Sequence, residues 1–265
     1  MKRRTLLEMG AALGLGAATC KGWAQQPRTV TVGVLPGPHA EIMAVVQQVS
    51  ADAGLDLRLV EAAPGRNLNA ALRAGKLDAA CFQDAVAFAQ EATRYPGTLA
   101  IATPTVTLPF ALYSRRVATP RQLPRGGTLA IPREPAAAAR ALVLLHNHGL
   151  ITLRSGSGLT ATPRDVETNR YGFKLLSSPL NQLASALTRV DAAVIDRPHA
   201  ERAGLQPGRD AIGLEDARSP WTEVLAVRAG DLGAAWVSAL VASYRSEPVK
   251  RFILERYQDS VRRPW

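Results

Sequence analysis

The chain has 265 residues, of which 47% are hydrophobic and 20% charged, a composition that supports one or two globular domains and excludes a disordered chain. Its formal net charge is +10, but the 32 basic residues include only 5 lysines and the arginines are scattered singly or in pairs. Nucleic-acid binding is therefore not expected, because phosphate backbones are bound by clustered basic residues interleaved with aromatic ones. Two cysteines, Cys20 and Cys81, exclude a disulfide framework, and no closely spaced Cys and His pair indicates structural zinc.

The first 26 residues have the layout of a secretory signal peptide. Basic residues 2–4 precede the short apolar stretch 6–18. This stretch is too short to span a membrane as a helix. Two processing routes stay open: cleavage after Ala24, or lipidation of Cys20 within a lipobox-like segment 17–20. The pair Arg3 and Arg4 also leaves open the twin-arginine export route beside the general one. Removal of these 26 residues deletes four basic residues and one acidic residue, so that the net charge falls to +7.

The rest of the chain alternates predicted strands and helices. The predicted strands are 29–35, 55–61, 77–82, 99–102, 111–114, 128–131, 192–195 and 224–228. The predicted helices are 39–53, 67–74, 85–93, 136–147, 182–188 and 234–257, the last one broken near Pro248. This alternation indicates the α/β class with mostly parallel sheets covered on both faces, and the length after residue 26 indicates two lobes.

An internal similarity supports the two lobes. Segments 71–84 (ALRAGKLDAACFQD) and 186–196 (ALTRVDAAVID) both read as a helix end, a turn, a strand and a terminal aspartate. Ligands of open α/β sheets bind outside the carboxyl ends of strands. Here those ends carry residues 36–39, 83–84, 133–135 and 196–199, which predicts a cleft lined by all four.

Arg140 lies one turn inside the helix predicted to follow residue 135. The free N–H groups at the start of that helix favour an anion, and a guanidinium there can clamp a carboxylate through two hydrogen bonds. An ordinary solvated helix position is the alternative interpretation of Arg140.

Segment 33–42 (GVLPGPHAEI) resembles the start of the methionine-binding lipoproteins, the MetQ/NlpA family of ABC-transporter substrate-binding proteins. Further similar blocks follow in order to the end of the chain: 67–68, 75–79, 81–83, 130–132, 140–142, 191–195, 203–205 and 219–221. The resemblance implies a two-lobed periplasmic-binding-protein fold of type II, with crossover segments near 105–110 and 217–223. Lobe 1 would comprise 27–107 and 222–265, and lobe 2 would comprise 108–221.

The resemblance also implies the function. It implies a monomeric extracytoplasmic receptor that closes on a small amino-acid-like solute and delivers it to a membrane ABC permease. The location would be periplasmic, either as a free protein or as a lipoprotein anchored at Cys20. No cofactor, metal or catalysis is implied.

Within that family pattern, Arg140 would hold the carboxylate of an amino acid, and Phe82, Phe88, Phe110 or Trp221 would supply an apolar wall. Several polar positions depart from the pattern. The acidic residues Asp84, Asp196 and Glu223 stand where the family has neutral or basic groups. Ala87 replaces an aromatic wall, and His199 is also a changed position. Because ionised carboxylates only accept hydrogen bonds, these exchanges alter what the cleft recognises.

Three interpretations of the carboxylates stay open. If Asp84, Asp196 and Glu223 all face the cleft, they favour a cationic or amine-bearing ligand, or a metal. If instead they pair with nearby arginines (Arg66, Arg133 and Arg197), no negative pocket results. If an amino acid is retained, Arg140 takes its carboxylate and Asp196 or Glu223 its ammonium group. An enzyme that uses the same carboxylates with His199 is the alternative from a different class.

Overall fold

The computed structural model describes residues 28–63 and 65–265. The predicted signal peptide and Cys20 lie outside these residues. The strands are β1 Arg28–Val34, β2 Leu55–Glu61, β3 Ala79–Asp84, β4 Leu99–Pro104, β5 Ala111–Tyr113, β6 Thr128–Pro132, β7 Thr152–Leu153, β8 Val166–Thr168, β9 Lys174–Ser178, β10 Ala192–Ile195, β11 Ala211–Leu214 and β12 Glu223–Arg228. The α-helices are α1 Pro38–Asp52, α2 Asn69–Arg73, α3 Ala85–Arg94, α4 Pro135–Asn147, α5 Leu183–Ala186, α6 Arg197–Arg202, α7 Pro207–Asp210, α8 Ala235–Tyr244 and α9 Glu247–Tyr257.

The strands form two five-stranded sheets and one small pair. The first sheet has the order β2-β1-β3-β12-β4, the second has the order β11-β5-β10-β6-β9, and β7 pairs with β8. In each large sheet two neighbouring pairs are parallel and two are antiparallel. The prediction of mostly parallel sheets is therefore wrong, because β12 runs antiparallel between β3 and β4 and β5 runs antiparallel to both of its neighbours.

Helices cover both faces of each large sheet, as the α/β prediction requires. One core of the first sheet packs β1, β2 and β12 against α1, α8 and α9, around Met43, Leu240 and Tyr244. Its opposite face packs against Leu72 and Phe88 of α2 and α3. The second sheet is covered by α4 on one face and by α5 and α6 on the other. No helix within the described residues is both long and apolar enough to cross a membrane.

Two segments, 105–110 and 215–222, connect the sheets, and they are hydrogen-bonded to each other. The Glu223 N–H donates to the Val106 carbonyl over 2.7 Å, and the Glu215 N–H donates to the Phe110 carbonyl over 3.1 Å. The hydroxyl oxygens of Thr107 and Thr222 lie 3.1 Å apart. The two connections therefore form one short ribbon between the sheets.

The C-terminal segment 258–265 adds to this ribbon. Arg262 exchanges backbone hydrogen bonds with Thr107 over 2.7 and 2.9 Å, and its guanidinium donates to the Glu215 carbonyl over 2.7 Å. The same segment contacts α7, where the Gly208 N–H donates to the Ser260 hydroxyl over 3.1 Å. The end of the chain thus binds to both connections and to a helix that follows the second sheet's strand β10.

Candidate ligand-binding site

A cavity of about 230 Å³ lies between the two sheets, and we call it the central cavity. One wall comes from the end of β3 and the first turns of α3, and the other comes from the first turns of α4. Residues of both connecting segments close it. Its lining consists of Asp84, Val86, Ala87, Gln90, Phe110, Ala136, Ala137, Arg140 and Trp221.

Arg140 is buried, with 9% of its surface exposed, and most of its donors are already used. Its Nε and Nη2 atoms both donate to the carboxylate of Glu215, over 2.9 and 2.6 Å, and Nη2 also donates to the Leu108 carbonyl over 2.9 Å. The guanidinium carbon lies 4.4 Å from the ring centroid of Phe110 and 5.4 Å from that of Trp221. Only Nη1 is left without a hydrogen bond among the described residues, and it lies 4.0 Å from an Asp84 oxygen.

Glu215 was not predicted from the sequence. It is buried and also accepts from the Phe110 N–H over 3.0 Å. It therefore balances the charge of Arg140 from within the protein, and the interpretation of Arg140 as an exposed helix residue is wrong because the side chain is enclosed by Phe110, Trp221 and Glu215.

Asp84 is the carboxylate that lines the central cavity. It caps α3, with one oxygen accepting from the Ala87 N–H over 2.8 Å. Burial raises the pKa of this carboxyl above its usual value, the hydrogen bond from Ala87 lowers it, and the nearby charge of Glu223 raises it further. A cationic group placed beside Asp84 would relieve this penalty, since the ionised form is the one that lacks compensation.

The other predicted carboxylates are held by histidines. An oxygen of Glu223 lies 3.1 Å from Nε2 of His39, and both residues are buried. An oxygen of Asp196 lies 2.6 Å from Nδ1 of His199 at the start of α6. The expected partners Arg66, Arg133 and Arg197 are thus not the ones found for these two carboxylates.

The predicted site residues are therefore only partly brought together. Arg140, Asp84 and Trp221 line the central cavity, whereas Glu223, Asp196 and His199 are not among its lining residues. Phe82 lines a neighbouring cavity of about 350 Å³ together with Asn67 and Gln83. Of the three carboxylates, only Asp84 lines the central cavity, and the interpretation in which all three face one cleft stays a prediction. Within the described residues, no three His, Cys, Asp or Glu side chains gather as metal ligands.

Cys81 is a buried thiol in the core of the first sheet. It is 1% exposed, and burial raises the pKa of its thiol to about 12. A thiol held protonated in this way is a poor nucleophile.

Comparison with known families identifies the chain. The model of the family described as NlpA lipoprotein matches residues 30–265. The chain belongs to the NlpA lipoprotein family. The resemblance stated from the sequence motifs is thereby confirmed, and so is the class it implied, the substrate-binding lipoproteins of ABC transporters.

Individual NlpA relatives cover nearly the whole chain. Outer membrane lipoprotein 2 of Mannheimia haemolytica is 31% identical over all of both chains. D-methionine-binding lipoprotein MetQ of Escherichia coli K12 is 32% identical over 94% of this chain and 93% of its own. The predicted periplasmic location, free or lipid-anchored, agrees with these lipoproteins.

Solved NlpA-like structures confirm the two-lobed fold. A nutrient-binding protein of Burkholderia cenocepacia bound to methionine has a TM-score of 0.70 at 36% identity, covering 89% of this chain and 100% of its own. Lipoprotein Tp32 of Treponema pallidum has a TM-score of 0.70 at 33% identity, covering 88% of this chain and 98% of its own. The predicted lobe boundaries near residues 107 and 222 stay a prediction.

Proposed function

We propose that this protein is a non-catalytic receptor that captures an amino-acid-like solute in the central cavity and presents it, as a monomer, to a membrane ABC permease. Family membership supports the receptor class. The observation that carries the solute class is the position of Asp84, an acceptor-only carboxylate with raised pKa, on the wall of a cavity between the lobes. An ammonium group is the ligand moiety that such a carboxylate binds best.

The size and walls of the cavity support a small solute. A volume of about 230 Å³ is below the roughly 300–1,000 Å³ of sites for drug-sized ligands. Phe110 and Trp221 give it an aromatic side, on which an apolar side chain packs favourably. Methionine, which is named for several relatives, is one candidate, and the changed residues Asp84 and Ala87 favour altered specificity.

Arg140 has a different role from the one expected. Because Glu215 and the Leu108 carbonyl occupy Nε and Nη2, a ligand carboxylate has only Nη1 available, and Asp84 lies 4.0 Å from it. We therefore propose that the ligand's ammonium group binds Asp84. Arg140 would not bind the ligand carboxylate but would hold the rings of Phe110 and Trp221 in place. A purely cationic ligand without a carboxylate is the alternative, which the negative charge of Asp84 also favours.

A thermal-shift screen tests this function. D- and L-methionine, other amino acids and polyamines are added to the purified protein, and a binder at one hundred times its Kd stabilises the fold by about 2.7 kcal/mol. We expect stabilisation by amino acids bearing a free ammonium group and loss of at least about tenfold in affinity with Asp84→Asn.

The control is Asp52→Asn, at an exposed position near the end of α1, which should bind like the unchanged protein. Chemical turnover of a stabilising compound, or equal binding by Asp84→Asn, would contradict the proposed function.

A further inference from the structure

Three segments of the second sheet meet at the edge that faces away from the central cavity, and we call this edge the basic end. They are 114–127, which joins β5 to β6, 169–174, which leads into β9, and 188–191, which leads into β10. The strands β6, β9 and β10 run parallel from this edge. Because β6 ends next to α4, whose first turns line the central cavity, the basic end lies across the sheet from that cavity.

Hydrogen bonds hold the first two segments together. The Lys174 N–H donates to the Gly127 carbonyl over 2.8 Å, and the Arg125 guanidinium donates to the Arg170 carbonyl over 2.9 Å. Arg125 and Arg170, which are 45 residues apart in the sequence, are therefore neighbours in the folded chain.

Asp191 attaches the third segment to the first. Its carboxylate accepts from the Thr128 N–H over 2.8 Å and from the Arg116 guanidinium over 2.7 Å, and its carbonyl accepts from the Ser114 hydroxyl over 2.6 Å. Asp191 is the only acidic residue in the three segments. Its ion pair with Arg116 therefore leaves the other cations of the basic end without a carboxylate from these segments.

Six further basic side chains of the basic end are exposed, and none of them forms an ion pair with a residue that the structure describes. They are Arg115, Arg121, Arg125, Arg170, Lys174 and Arg189. In the sequence these residues are scattered, because they belong to three separate segments, and the fold gathers them at one edge. Such a group of uncompensated cations attracts an anionic surface.

The basic end lacks the apolar centre of a protein interface. Protein–protein interfaces have a buried core that is depleted of charged residues. The exposed large hydrophobic side chains of the described chain lie outside the three segments, and Leu176 is the nearest to them in the sequence. The charge and the missing apolar core together favour a phosphate-bearing surface over a folded protein.

Tyr171 gives the basic end an aromatic group that suits a layer of lipid headgroups. Its ring stacks on Phe173 with the centroids 5.4 Å apart, and the guanidinium carbons of Arg125 and Arg170 lie 6.0 and 5.6 Å from its centroid. Tyrosine is enriched at membrane–water interfaces, and each Lys or Arg beside an anionic leaflet adds roughly fivefold to the affinity. An aromatic ring flanked by arginines therefore matches an anionic membrane surface.

We propose that the basic end is a membrane-binding surface that takes the anionic headgroups of phospholipids. The family that matches the chain is described as one of lipoproteins, and a polybasic surface is a second attachment that strengthens a lipid anchor. Bound in this way, the second sheet contacts the membrane through its far edge and leaves the central cavity uncovered. The proposal goes beyond the solute receptor and does not depend on the identity of the solute.

Vesicle co-sedimentation with the mature chain, purified without a lipid anchor, tests this inference. The probes are vesicles of phosphatidylcholine alone and of phosphatidylcholine mixed equally with phosphatidylglycerol. At about 0.1 M salt, where charges are screened beyond about 10 Å, we expect the mixed vesicles to be bound at least about tenfold more tightly, since two engaged cations suffice for that difference. Raising the salt to about 1 M should remove the difference.

Paired substitutions locate the binding surface. Lys174→Gln with Arg189→Gln removes two exposed cations and should weaken binding to the mixed vesicles at least about tenfold. Lys174→Arg with Arg189→Lys keeps both charges and should bind like the unchanged protein. The control is Arg58→Gln with Arg251→Gln, which removes the same charge from exposed positions in β2 and α9 and should bind within about twofold of the unchanged protein.

Equal binding of the two kinds of vesicle, or an equal loss in Lys174→Gln with Arg189→Gln and in the control, would overturn the membrane proposal. Immobilised polyglutamate is the probe for the other kind of partner, an acidic protein. Binding to polyglutamate that the first double variant abolishes, without binding to the mixed vesicles, would also overturn the membrane proposal and assign the basic end to an acidic protein. The solute receptor proposed for the central cavity stands under each of these outcomes.

Discussion

Asp84 and Arg140 both line the central cavity, but their charges are balanced by different partners. Arg140 is neutralised by Glu215 and held between two aromatic rings, so that its charge is satisfied before any ligand enters. Asp84 accepts from the Ala87 N–H over 2.8 Å, lies 4.0 Å from Nη1 of Arg140, and sits near the second carboxylate Glu223. These constraints support the proposal that the cavity accepts positive charge on the α3 side.

The raised pKa of Asp84 predicts a pH dependence of stability. In the unfolded chain this carboxyl loses its proton at a lower pH than in the folded protein, so the free energy of unfolding falls as the pH rises from the usual aspartate pKa through the raised one. Asp84→Asn removes this loss and keeps the helix cap. We expect the unliganded variant to be more stable than the unchanged protein at pH 7, and the difference to shrink at pH 4.

Urea denaturation at both pH values measures this effect. Asp52→Asn serves again as the control, since it removes an exposed carboxylate that does not line the central cavity. A variant that is less stable at pH 7 would show that the ionised Asp84 carboxylate stabilises the unliganded fold through Arg140.

The buried ion pair between Arg140 and Glu215 predicts that removing one of the two charges destabilises the fold more than removing both. Arg140→Met leaves the carboxylate of Glu215 buried and unpaired, which should cost about 3–5 kcal/mol of unfolding free energy. The double variant Arg140→Met with Glu215→Gln removes both charges and retains an acceptor for the Phe110 N–H. We expect it to recover more than half of the loss in urea denaturation.

Arg209→Met is the matched control for this prediction. Arg209 pairs with Asp210 over 2.7 Å but is 61% exposed, so the change should have little effect on the free energy of unfolding. A double variant as unstable as Arg140→Met would mean that the cost comes from lost packing on Phe110 and Trp221 rather than from the unpaired charge.

At the residue scale, the sequence predicted the positions that local pattern determines. The strand end before α3 identified Asp84, and the start of α4 identified Arg140. Glu215 was missed because its partner is 75 residues away in the sequence and because the short strand before it, β11, was not predicted. The pairing of Glu223 with His39 depends likewise on long-range packing, since 184 residues separate them, whereas Asp196 and His199 are only three residues apart.

At the scale of elements, hydrophobic pattern predicted those with strong periodicity. β2 and β10 have the predicted bounds, and the predicted break at Pro248 separates α8 from α9. β9 was missed because it has no buried residue and ends in two serines. β11 was missed because it has four residues, includes Gly213 and carries a register shift against β5. The direction of β12 depends on long-range pairing, which alternation does not show.

The contact between α7 and the C-terminal segment predicts that Gly208 cannot be replaced by a larger residue without a loss of stability. A Cβ atom on Gly208 would overlap the carbonyl oxygen of Gln258. That oxygen is a backbone atom, so the backbone of the C-terminal segment would have to move. Gly208→Ala should therefore displace segment 258–265 and cost about 1–3 kcal/mol.

Thermal unfolding and limited proteolysis near the C-terminus measure this effect. Gly230→Ala is the control, because no atom lies within 4 Å of the Cβ it would add. Unchanged proteolysis in Gly208→Ala would show that the segment adapts while remaining bound.

At the scale of the whole molecule, we expect the ribbon formed by the connecting segments to act as the hinge about which two lobes close on a solute. Trp221 lies in this ribbon and lines the central cavity, with 5% of its surface exposed. We expect a saturating solute to decrease the radius of gyration in small-angle scattering and to shift tryptophan emission.

Trp221→Phe should abolish the emission shift, provided that binding is first verified by calorimetry. Trp236→Phe, which removes a tryptophan 6% exposed in the first sheet's core, should retain it. A shift that persists without Trp221 would place the reporting tryptophan outside the cavity.

The position of β12 between β3 and β4 also sets an order of assembly during synthesis. The first sheet needs residues 223–228 to join β3 with β4, whereas the second sheet is built from the continuous stretch 111–214. Because ribosomes release the N-terminal part first, β4 cannot join β1, β2 and β3 in one sheet until β12 has been synthesised. The sheet that begins the chain is thus the last of the two to be completed during synthesis.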